Sequence, residues 1–141
     1  MRIETDGAAR GNPGQAAGAA VLYDDAGRPL VRVGRYLGRA TNNVAEYEGL
    51  LAGLEAAAEL GATDVEVRAD SELMVRQLTG VYRVRNPALQ ALYLQALERL
   101  RRFRSHRLVH VPREQNRAAD RTANEAIDRA ASFREIVGGM G

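Results

Sequence analysis

Hydrophobic and polar residues recur along the chain with two different periods, which predict a series of strands and helices. In the segment DVEVRAD, at 64–70, apolar and charged residues alternate, a pattern that is typical of a β-strand with one buried face. Between Asn43 and Leu60, apolar residues instead recur every three or four positions, which indicates an amphipathic helix that ends before Gly61. The same patterns predict strands at 2–5, 18–23, 30–37, 65–69 and 108–111, and helices at 43–60, from about residue 71, 88–103 and 118–131.

The order of these elements predicts the fold. Three strands come first without an intervening helix, whereas helices separate the later strands. We therefore predict an α/β fold with a mixed five-stranded sheet, in which the first three strands are antiparallel, the remaining strands are parallel and helices cover both faces. The glycine- and proline-rich segment DGAARGNPGQAAG, at 6–18, is predicted to be a loop, so that Asp6 ends the first strand.

Length and composition indicate one globular domain. The chain has 141 residues, and its 45% hydrophobic and 27% charged residues exclude a disordered or fibrous protein. We expect the domain to cover 1–131 and 132–141 to form a flexible C-terminal tail. The sequence has no cysteine, and no apolar run approaches the ~20 residues that cross a bilayer. We therefore expect a cytoplasmic monomer with no membrane partner.

Charge is distributed unevenly along the chain. Residues 1–70 carry a net charge of −4 and residues 71–141 a net charge of +6, and every basic residue is arginine. Two explanations remain open. The arginines reflect the codon bias of a GC-rich genome, or they serve a polyanionic partner, because guanidinium groups bind phosphate in a bidentate manner.

Four acids fall at the ends of predicted elements. Asp6 and Asp70 follow strands, Asp120 lies in the first turn of the last helix, and Glu46 lies on the side of its helix opposite the solvent-exposed glutamates. Each acid has an ordinary alternative explanation: a turn residue, a helix cap, a capping box with Asn43, or a favourable charge at a helix N-terminus. These alternatives do not explain why the predicted sheet would bring the four together.

Clustered carboxylates predict a bound cation. Four negative charges in one place repel one another unless a metal compensates them. Zinc is disfavoured because the chain has no cysteine and only two histidines, His106 and His110. Ligands that are all oxygen suit Mg²⁺ or Mn²⁺.

Four ordered segments resemble one family. TDGAARGNPG, TNNVAEYEGLLAGLEAA, ADSELMVRQL and REQNRAAD are similar, in this order and spacing, to type 1 ribonuclease H, which cleaves the RNA strand of RNA/DNA hybrids. The resemblance covers about residues 1–131 and implies a ribonuclease H-like sheet. It also implies that Asp6, Glu46, Asp70 and Asp120 are the metal ligands and catalytic acids. The resemblance further implies two Mg²⁺ ions roughly 4 Å apart, with Mn²⁺ as a substitute. Hydrolysis would leave 5′-phosphate and 3′-hydroxyl ends.

The resemblance also implies contacts with the substrate. This chain has matching residues at the family positions that contact the minor groove of the hybrid, bind a phosphate of the DNA strand or stack on a deoxyribose. The serine that follows the third acid is a further candidate. These substrate-binding candidates are Asn12, Asn42 and Asn43 for the groove, Arg39, Thr41 and Asn86 for the phosphate, Tyr82 for stacking, and Ser71.

The sequence departs from many family members in two places. The segment GVYRVRNP, at 80–87, is too short for a Lys- and Trp-rich insertion that binds the hybrid, and Arg76, Arg83 and Arg85 are partial substitutes. The loop before Asp120 also lacks the usual histidine that helps the product to leave. We expect Arg113 to take this role, with Glu114 as the alternative.

Two other functions remain as alternatives to a nuclease that is specific for hybrids. Without the insertion, a related nuclease that also cuts double-stranded RNA fits the sequence. A hybrid-binding module without catalysis would have been favoured by a missing acid, but all four are present.

Overall fold

The computed structural model describes residues 1–137, and the last four residues of the predicted tail, 138–141, lie outside this range. The elements are β1 (Arg2–Gly11), β2 (Gly14–Tyr23), β3 (Pro29–Ala40), α1 (Asn42–Glu59), β4 (Asp64–Ala69), α2 (Glu72–Leu78), α3 (Pro87–Arg101), β5 (Ser105–His110), a 3₁₀ turn (Arg113–Gln115), α4 (Arg117–Arg129) and β6 (Phe133–Ile136).

The strands form one mixed sheet in the order β5-β4-β1-β2-β3-β6. The first three strands are antiparallel neighbours, whereas β4 pairs parallel with β1 and β5 pairs parallel with β4. This arrangement confirms the predicted α/β class and the mixed sheet. The sheet has six strands among the described residues, however, and not the predicted five.

The sixth strand lies in the segment that was predicted to be a flexible tail. Phe133–Ile136 pairs antiparallel with β3, and the Phe133 ring packs beside Gly34 and Ala126. Arg32 of β3 forms an ion pair of 2.5 Å with Glu135. The prediction of a tail is therefore wrong for these four residues, because their partners lie about a hundred positions earlier in the chain and leave no local signal.

The segment predicted to be a loop after Asp6 is mostly a β-hairpin. β1 continues to Gly11 and β2 begins at Gly14, with a cis bond between Asn12 and Pro13 at the turn. The small residues of this hairpin allow α1 to approach it closely. A Cβ at Gly7 would lie 2.2 Å from the backbone nitrogen of Glu46. This strand position therefore requires glycine, because α1 packs directly against the backbone of β1 there.

Helices cover both faces of the sheet, as predicted. α1 lies on β1 and β2 and, together with α2 and α3, encloses the main apolar core, which includes Ile3, Leu22, Leu50 and Leu54. α4 packs on the opposite face through Ala126 and Ile127. Within residues 1–137, no helix combines the length and apolar character that crossing a membrane requires.

Candidate active site

The sheet brings two of the predicted acids together. Parallel pairing of β1 with β4 ends at Thr5 and Ala69, so Asp6 and Asp70 are the next residues on adjacent strands. The prediction that Asp6 ends its strand is wrong, because β1 continues beyond Asp6 to Gly11, where it pairs with β2 but no longer with β4. The register still places the two carboxylates at the carboxyl edge of the parallel part of the sheet, where ligands of such sheets bind.

Glu46 and Asp120 complete a cleft of about 420 Å³, which we call the acidic cleft. Carboxylate oxygens of Asp6, Glu46 and Asp70 all lie within 4.8 Å of one another. Asp120, from the first turn of α4, lines the same cleft outside this group of three, and its Oδ1 accepts a hydrogen bond of 3.3 Å from Asn124. The fold thus gathers all four predicted acids.

Burial and mutual repulsion disfavour the charged forms of the acids. Burial, followed by the charge of Asp70 and then that of Asp120, raises the pKa of Asp6 to about 8, against the opposing effect of a 2.9 Å hydrogen bond that the Gly7 N–H donates. Burial and the charges of Asp6 and Asp70 likewise raise the pKa of Glu46 well above its ordinary value. Oε2 of Glu46 is buried without a hydrogen-bond partner among residues 1–137. A divalent cation fits these features because it would satisfy the unpaired oxygen and offset the repulsion.

We expect the metal-free protein to lose stability between about pH 4 and pH 8. An unfolded aspartate has a pKa near 3.9, so in this window the folded chain holds a proton on Asp6 that the unfolded chain has released, and the free energy of unfolding falls as pH rises. Thermal melts in EDTA should therefore show a Tm that falls as the pH is raised from about 4 to about 8. Mg²⁺ or Mn²⁺ should raise the Tm at pH 8, and a melt unaffected by either ion there would argue against a metal site.

A buried asparagine that the sequence analysis did not single out positions the loop before α4. The side chain of Asn116 is fully buried, and its Nδ2 donates a hydrogen bond of 2.8 Å to the carbonyl oxygen of Thr5, next to Asp6. An asparagine directly before a helix predicts a cap, but this side chain makes no capping bond. It fixes α4, and with it Asp120, to β1.

The predicted groove-binding residues lie at the rim of the acidic cleft. Asn42, Asn43 and Ser71 line it, and Oδ1 of Asn12 accepts a 3.1 Å hydrogen bond from the backbone of Asn42. Ser71 also caps α2, because its side-chain oxygen accepts a 3.2 Å hydrogen bond from the Met74 N–H. A cap and a substrate contact are compatible, because the hydroxyl group can both donate and accept.

The residues predicted to grip a DNA phosphate are less clearly assembled. Thr41 caps α1 and Asn86 caps α3 through their side-chain oxygens, and Arg39 is exposed near the end of β3. Within residues 1–137, no hydrogen bond joins these three side chains to one another. Tyr82 is 47% exposed, with the Arg76 guanidinium 5.6 Å from its ring centroid.

Arg113 and its alternative, Glu114, differ in their distance from the acids. Arg113 lines both the acidic cleft and a neighbouring hollow, whereas Glu114 lines the neighbouring hollow alone. Both side chains are exposed on the 3₁₀ turn. Of the two residues, Arg113 is therefore the one that lies beside the acids.

The chain is similar to proteins of known family. A family model described as reverse transcriptase-like matches residues 4–126. The bifunctional protein Rv2228c of Mycobacterium tuberculosis is 49% identical over 130 residues, which are 92% of this chain but only 36% of that protein. The chain thus spans about a third of the length of this curated relative.

Two solved structures are similar over nearly their whole length. RNase H1 of Halobacterium salinarum is 46% identical, with a TM-score of 0.88 over 91% of this chain and 97% of that one. LC11-RNase H1, solved in complex with an RNA/DNA hybrid, is 44% identical, with a TM-score of 0.86 over 92% of this chain and 97% of that one. These matches confirm the resemblance noted in the sequence, and the chain belongs to the type 1 ribonuclease H family.

Proposed function

We propose that the protein is a metal-dependent endoribonuclease that hydrolyses the RNA strand of RNA/DNA hybrids. The observation that carries this proposal is the convergence of the Asp6, Glu46 and Asp70 carboxylates within 4.8 Å, with Asp120 in the same cleft. The solved complex of LC11-RNase H1 with a hybrid supports the substrate class. All four acids come from one chain, so the site is complete in a monomer.

The four acids would hold two Mg²⁺ ions, with Mn²⁺ as a substitute. When bound, such ions activate water and stabilise the leaving 3′ oxygen, so that 5′-phosphate and 3′-hydroxyl ends result. The chain itself contributes placement. The register of β1 and β4 sets Asp6 against Asp70, the approach of α1 at Gly7 sets Glu46, and the Asn116 bond to β1 sets α4.

Amide and hydroxyl groups around the cleft suit an RNA-containing duplex. Asn12, Asn42, Asn43 and Ser71 would contact the minor groove, where 2′-hydroxyls and base edges are accessible. On the flanks, further residues would bind the DNA strand, namely Arg39, Thr41 and Asn86 at a phosphate and Tyr82 by stacking.

The test is cleavage of labelled hybrid, RNA duplex, DNA duplex and single strands in Mg²⁺, Mn²⁺ or EDTA. We expect metal-dependent cuts in the RNA strand of the hybrid and none in EDTA. Cleavage of the RNA duplex at a comparable rate would extend the substrate class, since the segment at 80–87 is short. An intact hybrid in both metals would refute the proposal.

Arg113→Ala should lower turnover about 10-fold or more if this cation positions the scissile phosphate or helps product to leave. The side chain is exposed, so the Tm should change little, since such substitutions usually cost under ~0.5 kcal/mol. Glu114→Ala on the same turn is the matched control. Small, equal effects of both changes would remove Arg113 from the site, and a large effect of Glu114→Ala alone would move the role to Glu114.

A further inference from the structure

A second hollow, which we call the arginine cleft, adjoins the acidic cleft. It has a volume of about 330 Å³ and is lined by Arg113, Glu114, Arg117, Asp120 and Arg121. Two of these residues, Arg113 and Asp120, also line the acidic cleft, so the two hollows are adjacent. Neither Arg117 nor Arg121 has a role in the function proposed above.

The three arginines of this cleft differ from most others in the structure. Many arginines form ion pairs with nearby acids, as Arg76 does with Glu72 and Arg104 with Asp64. Arg113, Arg117 and Arg121 are exposed and form no ion pair or side-chain hydrogen bond within the described 137 residues. Their guanidinium groups therefore keep their full donor capacity for a ligand.

The placement of Arg117 and Arg121 is unfavourable without an anion. Both lie in the first part of α4, which begins at Arg117, where the helix dipole disfavours positive charge. They are also four residues apart, so they repel each other on one face of the helix. Of the two acids in the cleft, Asp120 also faces the metal site, which leaves Glu114 as the other negative charge. A bound phosphate would relieve these costs.

We propose that Arg117 and Arg121 bind a non-scissile phosphate of the RNA strand, on the side of the acidic cleft that Arg113 lines. This inference rests on the proposed function, which places the scissile phosphate of that strand at the acids. A strand seated there continues past the rim of the acidic cleft, and the shared residues Arg113 and Asp120 mark the side on which the arginine cleft lies. Guanidinium groups suit this ligand because they contact phosphate oxygens in pairs.

Such a contact sets how far the substrate must extend on one side of the cut. A non-scissile phosphate carries the same charge before and during the reaction, so its contact stabilises the bound substrate and the transition state equally. Loss of the contact therefore raises KM and leaves kcat unchanged, whereas loss of a contact with the reacting atoms lowers kcat.

The test uses a hybrid whose RNA strand is 2′-O-methylated except around one cleavage position. Single phosphates in the methylated flanks are replaced, one at a time, by neutral methylphosphonates. With wild-type protein, neutralisation at one position or two adjacent positions on a single side should raise KM about 10-fold and change kcat less than about twofold. In Arg117→Ala/Arg121→Ala, KM on the unmodified substrate should rise about 10-fold, and the same methylphosphonate should add less than about twofold.

Arg101→Ala is the matched control. Arg101 is an exposed arginine without an ion pair in the described chain. It ends α3 next to the amino ends of β4 and β5, whereas Asp70 lies at the carboxyl end of β4. Its loss should leave both constants within twofold of wild type. If thermal melting shows that the Arg117→Ala/Arg121→Ala variant is unfolded, the Arg117→Gln/Arg121→Gln variant is used in its place.

Two results would overturn the inference: a KM of the double variant within twofold of wild type, or methylphosphonate effects that are the same in variant and wild type. Wild-type protein that leaves the unmodified hybrid intact would instead refute the proposed function. The two failures are therefore distinguishable.

Discussion

Asp70→Asn should reduce hybrid cleavage at least 100-fold and leave the fold intact. The substitution removes one of three carboxylates that lie within 4.8 Å of one another, and with it a charge that would hold a metal ion. The same charge raises the pKa of Asp6, so its loss also relieves repulsion, and the Tm of the metal-free variant should rise slightly. Turnover at saturating Mg²⁺ and a thermal melt in EDTA measure the two effects.

Asp128→Asn is the control, because this α4 aspartate has a side chain that is 66% exposed and pairs with Arg10. It should keep nearly full activity. If purified Asp70→Asn retained more than about a tenth of wild-type turnover, the barrier would have changed by less than ~1.4 kcal/mol, and the assignment of Asp70 to the metal site would be wrong.

Affinity for the hybrid should fall steeply with salt. Residues 76–121 contain 11 arginines and three acids, but the structure reduces the number that are free for phosphate. Five of them pair with acids, namely arginines 76, 99, 102, 104 and 107. Arg101 lies at the amino ends of β4 and β5, opposite the end of the sheet that carries the acidic cleft. Five remain: Arg83, Arg85, Arg113, Arg117 and Arg121. If Arg83, Arg85 and Arg113 each neutralise one phosphate and Arg117 and Arg121 share another, Kd should rise about 150-fold between 50 and 200 mM salt, through counterion release.

Anisotropy titrations with the inactive Asp70→Asn variant measure this slope without cleavage. Replacing Arg113, Arg117 and Arg121 together by alanine should remove about half of the slope, since two of the four neutralised phosphates are lost. A Kd that is flat between low and physiological salt would contradict phosphate binding by the whole region.

The acids and the fold class could be predicted because their signals are local. Alternation in DVEVRAD and the helical period after Asn43 define β4 and α1, and residues at the ends of these elements fall at the edges of the sheet. The convergence of Asp6 with Asp70 followed from the parallel pairing alone. It survived the error about where β1 ends, because the register, and not the strand terminus, sets the two side chains opposite each other.

The parts that were not predicted depend on partners far away in the sequence. The pairing of β6 with β3 and the bond of Asn116 to Thr5 each join residues about a hundred or more positions apart. The hairpin at 6–18 was mistaken for a loop because glycine and alanine predict turns when their neighbours in space are unknown. The arginine cleft was missed because the sequence does not show which exposed arginines lack an acid nearby.

The close approach of α1 to the hairpin sets the distance between the two backbones that carry Asp6 and Glu46. At Gly7, Gly18 and Gly49, main chain lies directly against main chain, and an added Cβ would come within 2.4 Å of a backbone atom at each. Asp6 and Glu46 are thus held by backbone contacts, which have no rotamers through which they could adjust. A side chain added at any of these glycines would therefore push α1 away from the hairpin and separate Asp6 from Glu46, even where the leucines and valines beneath α1 are unchanged.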